Sequence, residues 1–189
     1  MNICGILLSA GAGTRFGGGK MTAKLSNGKE LGLSSYENLL ASVPNSIVVV
    51  DANDIRTREM YLTAGARTTL CESSSLGMSQ SLIHGINANP DCDGWIVALG
   101  DMPFIAKKSI DKVASALRQG ALLAVPQYLK KNGHPVGLSR HLKNEISKLK
   151  GDNGAKRVIK NHQASTVFIQ TNDPGITRDI DVKEDLLNN

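Results

Sequence analysis

A chain of 189 residues with 41% hydrophobic side chains is the size of one domain, and at this length it buries roughly 70% of its unfolded surface, so it needs no staples to fold. Three widely separated cysteines, Cys4, Cys71 and Cys92, with no C-x-x-C pair, argue against a disulfide framework or structural zinc and for reduced thiols in a cytoplasmic protein. No apolar run approaches the roughly 18 residues of a membrane span, the start from Met1 to Gly5 carries no basic leader, and 4% aromatics without a base-stacking motif argue against nucleic acid, despite a net charge of +5.

In chain order, an apolar strand from Ile3 to Leu8 runs into a turn rich in glycine. Further short apolar runs follow at Ser46 to Val50, Arg67 to Cys71, Gly94 to Leu99 and Ala121 to Val125. Between them, Ile55 to Ala64, Met78 to Asn87 and Lys107 to Gln119 read as helices, with Gly65, Gly85 and Gly120 at or near their ends as punctuation. Such alternation predicts βα units, a Rossmann-like three-layer αβα domain and a mostly parallel sheet, with the ligand crevice at the strand C-termini. After Val125 the rhythm changes: a loop around Lys130 to Pro135, helices near Arg140 to Leu149 and Gly154 to Asn161, and a strand near Thr166 to Gln170. A short strand at Asp179 to Asp181 and a last helix close the chain. No repeat or linker divides it, so one domain spans 1–189, with a nucleotide-binding part over about 1–105 and an acceptor-binding part over about 106–189.

The charge is uneven. From Lys130 to Lys160 nine Lys or Arg stand against only Glu145 and Asp152, which suits a small polyanionic ligand, while residues such as Lys143 and Lys148 read as solvated helix faces.

The turn after the first strand, Ser9-Ala10-Gly11-Ala12-Gly13-Thr14-Arg15-Phe16-Gly17-Gly18-Gly19-Lys20, holds two cations and no acid. Glycines let backbone N–H groups approach a phosphate, a following helix N-terminus adds positive potential, and Arg15 and Lys20 supply full charges. A Walker A reading fails, because Thr14 stands where the first glycine belongs and Met21 follows Lys20. A dinucleotide fingerprint has Gly11-Ala12-Gly13, but its candidate acid, Asp51, lies nearly 40 residues beyond Gly13 rather than about 20. Asp101, in Leu99-Gly100-Asp101-Met102-Pro103, sits just past a buried strand, where a carboxylate either holds Mg²⁺ or caps the next helix.

Leu8-Ser9-Ala10-Gly11, then Arg15-Phe16-Gly17 and Lys20, resembles the L-A-A-G-x-x-x-R-[FM]-G-x-x-K opening of the MobA-like nucleotidyltransferases, and within them the molybdenum cofactor cytidylyltransferases. Leu99-Gly100-Asp101-Met102-Pro103 is similar to that family's L-x-D-x-P. Gly77 to Leu82, with Ser81, is similar to its G-[ML]-x-x-S-[LV], and Gly133-His134-Pro135 to its G-H-P. Gly151 to Arg157 resembles G-D-x-G-A-R, where Asp152 faces the acceptor or caps a helix, and Asp179-Ile180-Asp181 with Glu184-Asp185 resembles D-I-D-x-x-[ED]-D. Three positions depart from the pattern: Ser9 replaces an alanine, no proline follows the Lys20 segment, and Asp51 ends the second strand where a glycine often follows.

The resemblance implies a fold of the nucleotide-diphospho-sugar transferase type and a Mg²⁺-dependent transfer of CMP from CTP to the terminal phosphate of molybdopterin. Leu8, Ser9, Ala10, Gly11, Gly13, Arg15, Lys20 and Ser81 would bind the nucleotide, Gly133, His134, Pro135 and Asp152 the acceptor, and Asp101 with Asp181 the metal. Arg15, Lys20 and Asp101 would carry catalysis, and a molybdenum hydroxylase would be the client. Ala10, where a guanylyl-transferring relative has glycine, favours cytidine. The alternatives are GTP as donor, a sugar phosphate as acceptor, a non-catalytic carrier of the cofactor, and a dinucleotide-dependent oxidoreductase.

Overall fold

In the computed structural model, which describes residues 1–187, eight strands form one sheet in the order β3-β2-β1-β4-β7-β5-β6, with β8 paired to β5. β1 (Ile3–Ser9), β2 (Ser46–Asp51), β3 (Thr68–Cys71) and β4 (Gly94–Leu99) are mutually parallel, as are β5 (Leu123–Tyr128) and β8 (Thr166–Gln170). β7 (Val136–Ser139) is reversed and lies antiparallel between β4 and β5, and β6 (Lys131–Asn132) completes a hairpin with β5.

The parallel strands are buried on both sides, so their sequences read as continuous apolar runs rather than alternating ones. Alternate residues still part company by face. Ile6, Val49 and Val97 pack with α3 (Met78–Asn87), α5 (Lys143–Ile146) and α6 (Lys156–Asn161), while Leu7, Val48 and Ile96 pack with α1 (Leu31–Ser42), α2 (Ile55–Thr63) and α4 (Lys107–Arg118). This is the three-layer αβα arrangement that the alternation predicts. Among the described residues no helix is long and apolar enough to cross a membrane.

Several elements differ from the sequence expectation. α1 was not anticipated, although Leu31, Ser35, Tyr36 and Leu39 bury one helical face. β7 occupies the middle of the sheet with only four residues, one of them Gly137, which is too short a run to show a period. A Cβ on Gly137 would stand 2.9 Å from Val113 Cγ1, so the strand needs that glycine to pack beneath α4. Gly85 does not end a helix: it lies inside α3, where a Cβ would meet Ile6 Cγ2 at 2.6 Å, and its absence lets helix and sheet close up. The segment from Asp179 to Asp181 is irregular rather than a strand, and a 3₁₀ turn at Lys183–Leu186 stands in place of a last α-helix.

The thiols also depart from expectation. Cys4 and Cys92, 88 residues apart in sequence, form a disulfide with Cα atoms 6.1 Å apart, and only Cys71 is free. Pairing of Ile3 with Gly94 in the parallel register is what brings the two cysteines together at the base of the sheet. Spacing along the chain carries no trace of that.

Candidate active site

The C-terminal ends of β1, β2 and β4 surround a cavity of about 410 Å³. Leu8, Ser9, Ala10, Gly11, Gly13 and Lys20 line it from the first strand and its turn, Ser81 from α3, and Asp101 from the end of β4. Tight backbone bonds fold the turn on itself: Phe16, Gly17 and Gly18 each donate to the Gly13 carbonyl at 3.0 to 3.3 Å. Gly13, Gly17, Gly18 and Gly19 all take positive φ, from 56° to 90°, a region that residues with a Cβ rarely adopt. No α-helix opens here, contrary to the expected helix N-terminus. A three-residue 3₁₀ turn at Lys20–Thr22 follows instead, so charge at this end of the cavity comes from side chains.

Those side chains form one ionic cluster. Lys20, itself buried, donates from Nζ to Asp101 Oδ2 at 2.7 Å and lies 3.8 Å from Asp181 Oδ1, while the exposed Arg15 pairs with Asp181 Oδ2. Asp181 reaches this place because the Ile180 amide donates to the Asp101 carbonyl at 2.9 Å and the Ile180 side chain is fully buried against Phe16, Met21, Leu25 and Leu31. Four residues distant in sequence thus meet at one rim. Asp101 does not cap the following helix: Asp173 does so, accepting from the Ala106 amide at 2.9 Å and from Ser109 Oγ at 2.7 Å.

Asp101 and Asp181 offer hard carboxylate oxygens, the donors that suit Mg²⁺. Among the described residues there is no group of three or more His, Cys, Asp or Glu able to hold a metal by itself. Mg²⁺ is commonly held by one or two carboxylates and completed by substrate phosphates and water rather than by an all-protein cage. Asp101 and Asp181 have the donor chemistry that such a site requires.

The other expected residues are placed differently. Asp152 lines the cavity and accepts from the Met78 amide at 3.1 Å, so it caps α3 from another part of the chain and not the helix that follows it. Gly133, His134 and Pro135 lie outside the cavity lining, across a cis His134–Pro135 bond, with the His134 amide donating to the Ile176 carbonyl at 2.8 Å. The His134 Nδ1 is sealed from solvent without a hydrogen-bond partner, and burial holds the ring below the usual imidazole pKa, partly opposed by the Val97 backbone and the Asp101 charge. It is a neutral ring, poorly suited to bind a phosphate by charge. Ser79 Oγ is likewise buried without a partner, whereas Ser81 lines the cavity.

The lining also includes Asp51 and Ser74, which the sequence does not assign as site residues. Asp51 accepts from Ser74 Oγ and, at 2.7 Å, from the Asn53 amide, and the Ser74 bond is the main cause of a carboxyl held below its ordinary range, against the opposing pull of burial. Its strand-end position was the available signal for Asp51. For Ser74, in a run of three serines, there was none.

Comparison with known proteins adds to this geometry. The model of a MobA-like NTP transferase domain matches residues 5–167. The purine catabolism protein PucB of Bacillus subtilis is 24% identical over 97% of this chain and 93% of its own, and the nicotine blue oxidoreductase of Paenarthrobacter nicotinovorans 25% identical over 97% and 94%. In fold, the crystal structure of Rv0371c from Mycobacterium tuberculosis superposes with a TM-score of 0.86 at 19% identity, covering 100% of this chain and 97% of that one.

Proposed function

The chain belongs to the MobA-like NTP transferase domain family and is a nucleotidyltransferase, and from that premise we propose that it joins CMP from CTP to the terminal phosphate of molybdopterin, releasing pyrophosphate. The observation that carries this reading is the cluster of Lys20, Arg15, Asp101 and Asp181 at the mouth of a glycine-lined cavity. A terminal phosphate monoester has a second pKa of about 6, so it is largely a dianion at neutral pH and needs no general base. Its oxygen attacks the α-phosphorus of CTP, a new P–O bond forms, and the bond to the β-phosphate breaks with both electrons leaving on pyrophosphate.

Repulsion is the obstacle to that step. Two unit charges about 4 Å apart interact by roughly 4 kcal/mol at an effective dielectric near 20, and each anion carries more than one charge. Lys20 and Arg15 would turn from the carboxylates to the triphosphate and neutralise the departing pyrophosphate. Asp101 and Asp181 would hold Mg²⁺, which when bound offsets charge on the phosphate oxygens. The backbone of Ala10 to Gly13 would orient the donor, and Ala10, buried at the floor of the cavity, would favour cytidine by its side chain where glycine leaves room for a larger base. Gly133 to Pro135 and Asp152 would border the acceptor, whose downstream user is a molybdenum hydroxylase.

A second reading has one observation in its favour. Asp51 ends the strand beside β1 and lines the cavity, the place where dinucleotide folds put the acid that binds a ribose hydroxyl, and a relative carries the name of an oxidoreductase. Thermal shift with CTP, GTP and NAD, each with and without Mg²⁺, separates the two: a ligand at about 100 times its Kd adds about 2.7 kcal/mol. Mg²⁺-dependent stabilisation by CTP above GTP, followed by pyrophosphate release with molybdopterin, is the expected outcome. Stabilisation by NAD alone would overturn it.

A further inference from the structure

Beneath the glycine turn a buried polar contact joins Ser9, of the cavity lining, to a residue given no role above. Tyr61, on α2, is fully buried, and its hydroxyl lies 2.8 Å from Ser9 Oγ at the very end of β1. Each partner has a cleft cut for it by a missing side chain. A Cβ on Gly32 would stand 2.4 Å from the Tyr61 hydroxyl, and one on Gly100 would stand 2.3 Å from Ser9 Oγ.

Gly100 is the residue before Asp101, and it is fixed on its other sides as well. Its amide donates to the Leu8 carbonyl at 2.9 Å, and its carbonyl accepts from Ser35 Oγ, buried on α1, at 2.8 Å. Ser9 Oγ therefore rests against the turn that presents Asp101, while the Ser9 backbone leads straight into the turn that presents Lys20. One hydroxyl pair touches the roots of both halves of the ionic cluster.

We propose that Tyr61 and Ser9 are positioning residues for nucleotidyl transfer: their hydrogen bond sets the separation between the glycine turn carrying Lys20 and the strand end carrying Asp101. The inference rests on the transferase reading. Burial raises the Tyr61 pKa above the ordinary phenol value, with the Ser9 bond opposing, so the phenol stays protonated and the pair remains intact at neutral pH. In this chain, removing only the tyrosine hydroxyl leaves Ser9 Oγ, on a residue 3% exposed, without that partner.

A double-mutant cycle of Tyr61→Phe, Ser9→Ala and the pair tests this, read as kcat and KM for CTP with saturating acceptor and, independently of any acceptor, as Mn²⁺ affinity in the presence of CTP. Tyr61→Phe is expected to lower kcat and Mn²⁺ affinity by about tenfold while KM changes less than about threefold, because a small displacement of reacting groups costs rate before binding. The double variant lacks the same hydrogen bond as either single variant, so it is expected to fall no further than Tyr61→Phe and the two losses are not additive. A thermal midpoint that falls in Tyr61→Phe while kcat and Mn²⁺ affinity stay unchanged would overturn the proposal, as would losses that simply add in the double variant. If the unmodified protein binds no triphosphate, the transferase reading itself falls; if it turns over and the cycle is flat, only the positioning role does.

Discussion

The donor side and the far side of this sheet reach the same rim by opposite routes. From β3 to β4 every strand runs the same way, so the glycine turn, Asp51 and Asp101 all arrive at the cavity as strand C-termini. On the far side β7 is reversed, with Val136 opposite Val97, and Gly133 to Pro135 come to that rim as the lead-in to a strand. The difference teaches where charge is kept. The segments that follow strand ends on the parallel side carry Asp101 and Lys20, whereas the lead-in to the reversed strand brings a neutral, half-buried imidazole.

The sharpest way to break that comparison is to remove charge from one side and polarity from the other. Asp101→Asn keeps the shape but gives up the charge that pairs with Lys20 and is proposed to hold the metal, and is expected to lower kcat for pyrophosphate release on the order of 10²-fold or more. His134→Ala is expected to raise KM for the acceptor with a smaller loss of kcat. Equal losses of kcat in the two variants would show that the far side holds catalytic charge after all.

Next in size is the seam where the sides meet. A Cβ at Gly77 would stand 2.5 Å from the Gly151 carbonyl carbon, and Gly77 has φ of 111°. Gly77→Ala is expected to lower unfolding free energy by about 2 to 3 kcal/mol, read by urea denaturation, since both the backbone conformation and the neighbouring turn resist it. An unchanged midpoint would mean that the Gly151 turn yields freely and the seam is no lock. Asp152→Ala, which removes only the cap that crosses the same seam to Met78, is expected to cost about 1 kcal/mol in the same experiment. Asp152→Asn should recover most of that loss, because the amide oxygen still accepts.

The same contrast explains what was legible in the sequence. On the parallel side long apolar runs and strand-end residues announce themselves, so β1 to β4, the glycine turn and the approach of Asp101 to Lys20 followed from pattern and resemblance. α1 escaped notice although its buried residues keep helical spacing. β7 was hidden by its length and by Gly137. The pairings that tie the fold together, Asp152 with Met78, Asp173 with Ala106, Tyr61 with Ser9 and Cys4 with Cys92, join positions at least 52 residues apart, and local propensity says nothing about such partners.

The smallest expected effect concerns how the far side holds its own helices. Glu145 on α5 accepts from Asn161 Nδ2 at 2.8 Å and lies 2.5 Å from His162 Nε2, and these two contacts, the Asn161 bond foremost, hold its carboxyl below the usual glutamate range. A carboxyl depressed in the folded state stabilises fully above its unfolded pKa, and the contribution disappears as pH falls through the folded value. Glu145→Gln should therefore be less stable than the unmodified protein near pH 7, by no more than a few tenths of a kcal/mol because both partners are about one-third exposed, and the gap should close as pH falls below the usual glutamate range. Thermal midpoints across that range read it directly. Because this clamp ties the end of α6 to α5, and the Gly151 turn with Asp152 lies between those helices, a parallel acid loss of CTP affinity would extend the seam from Gly77 back to Glu145. A loss of stability without loss of affinity would confine the clamp to the far side, leaving the donor cavity to hold its shape alone.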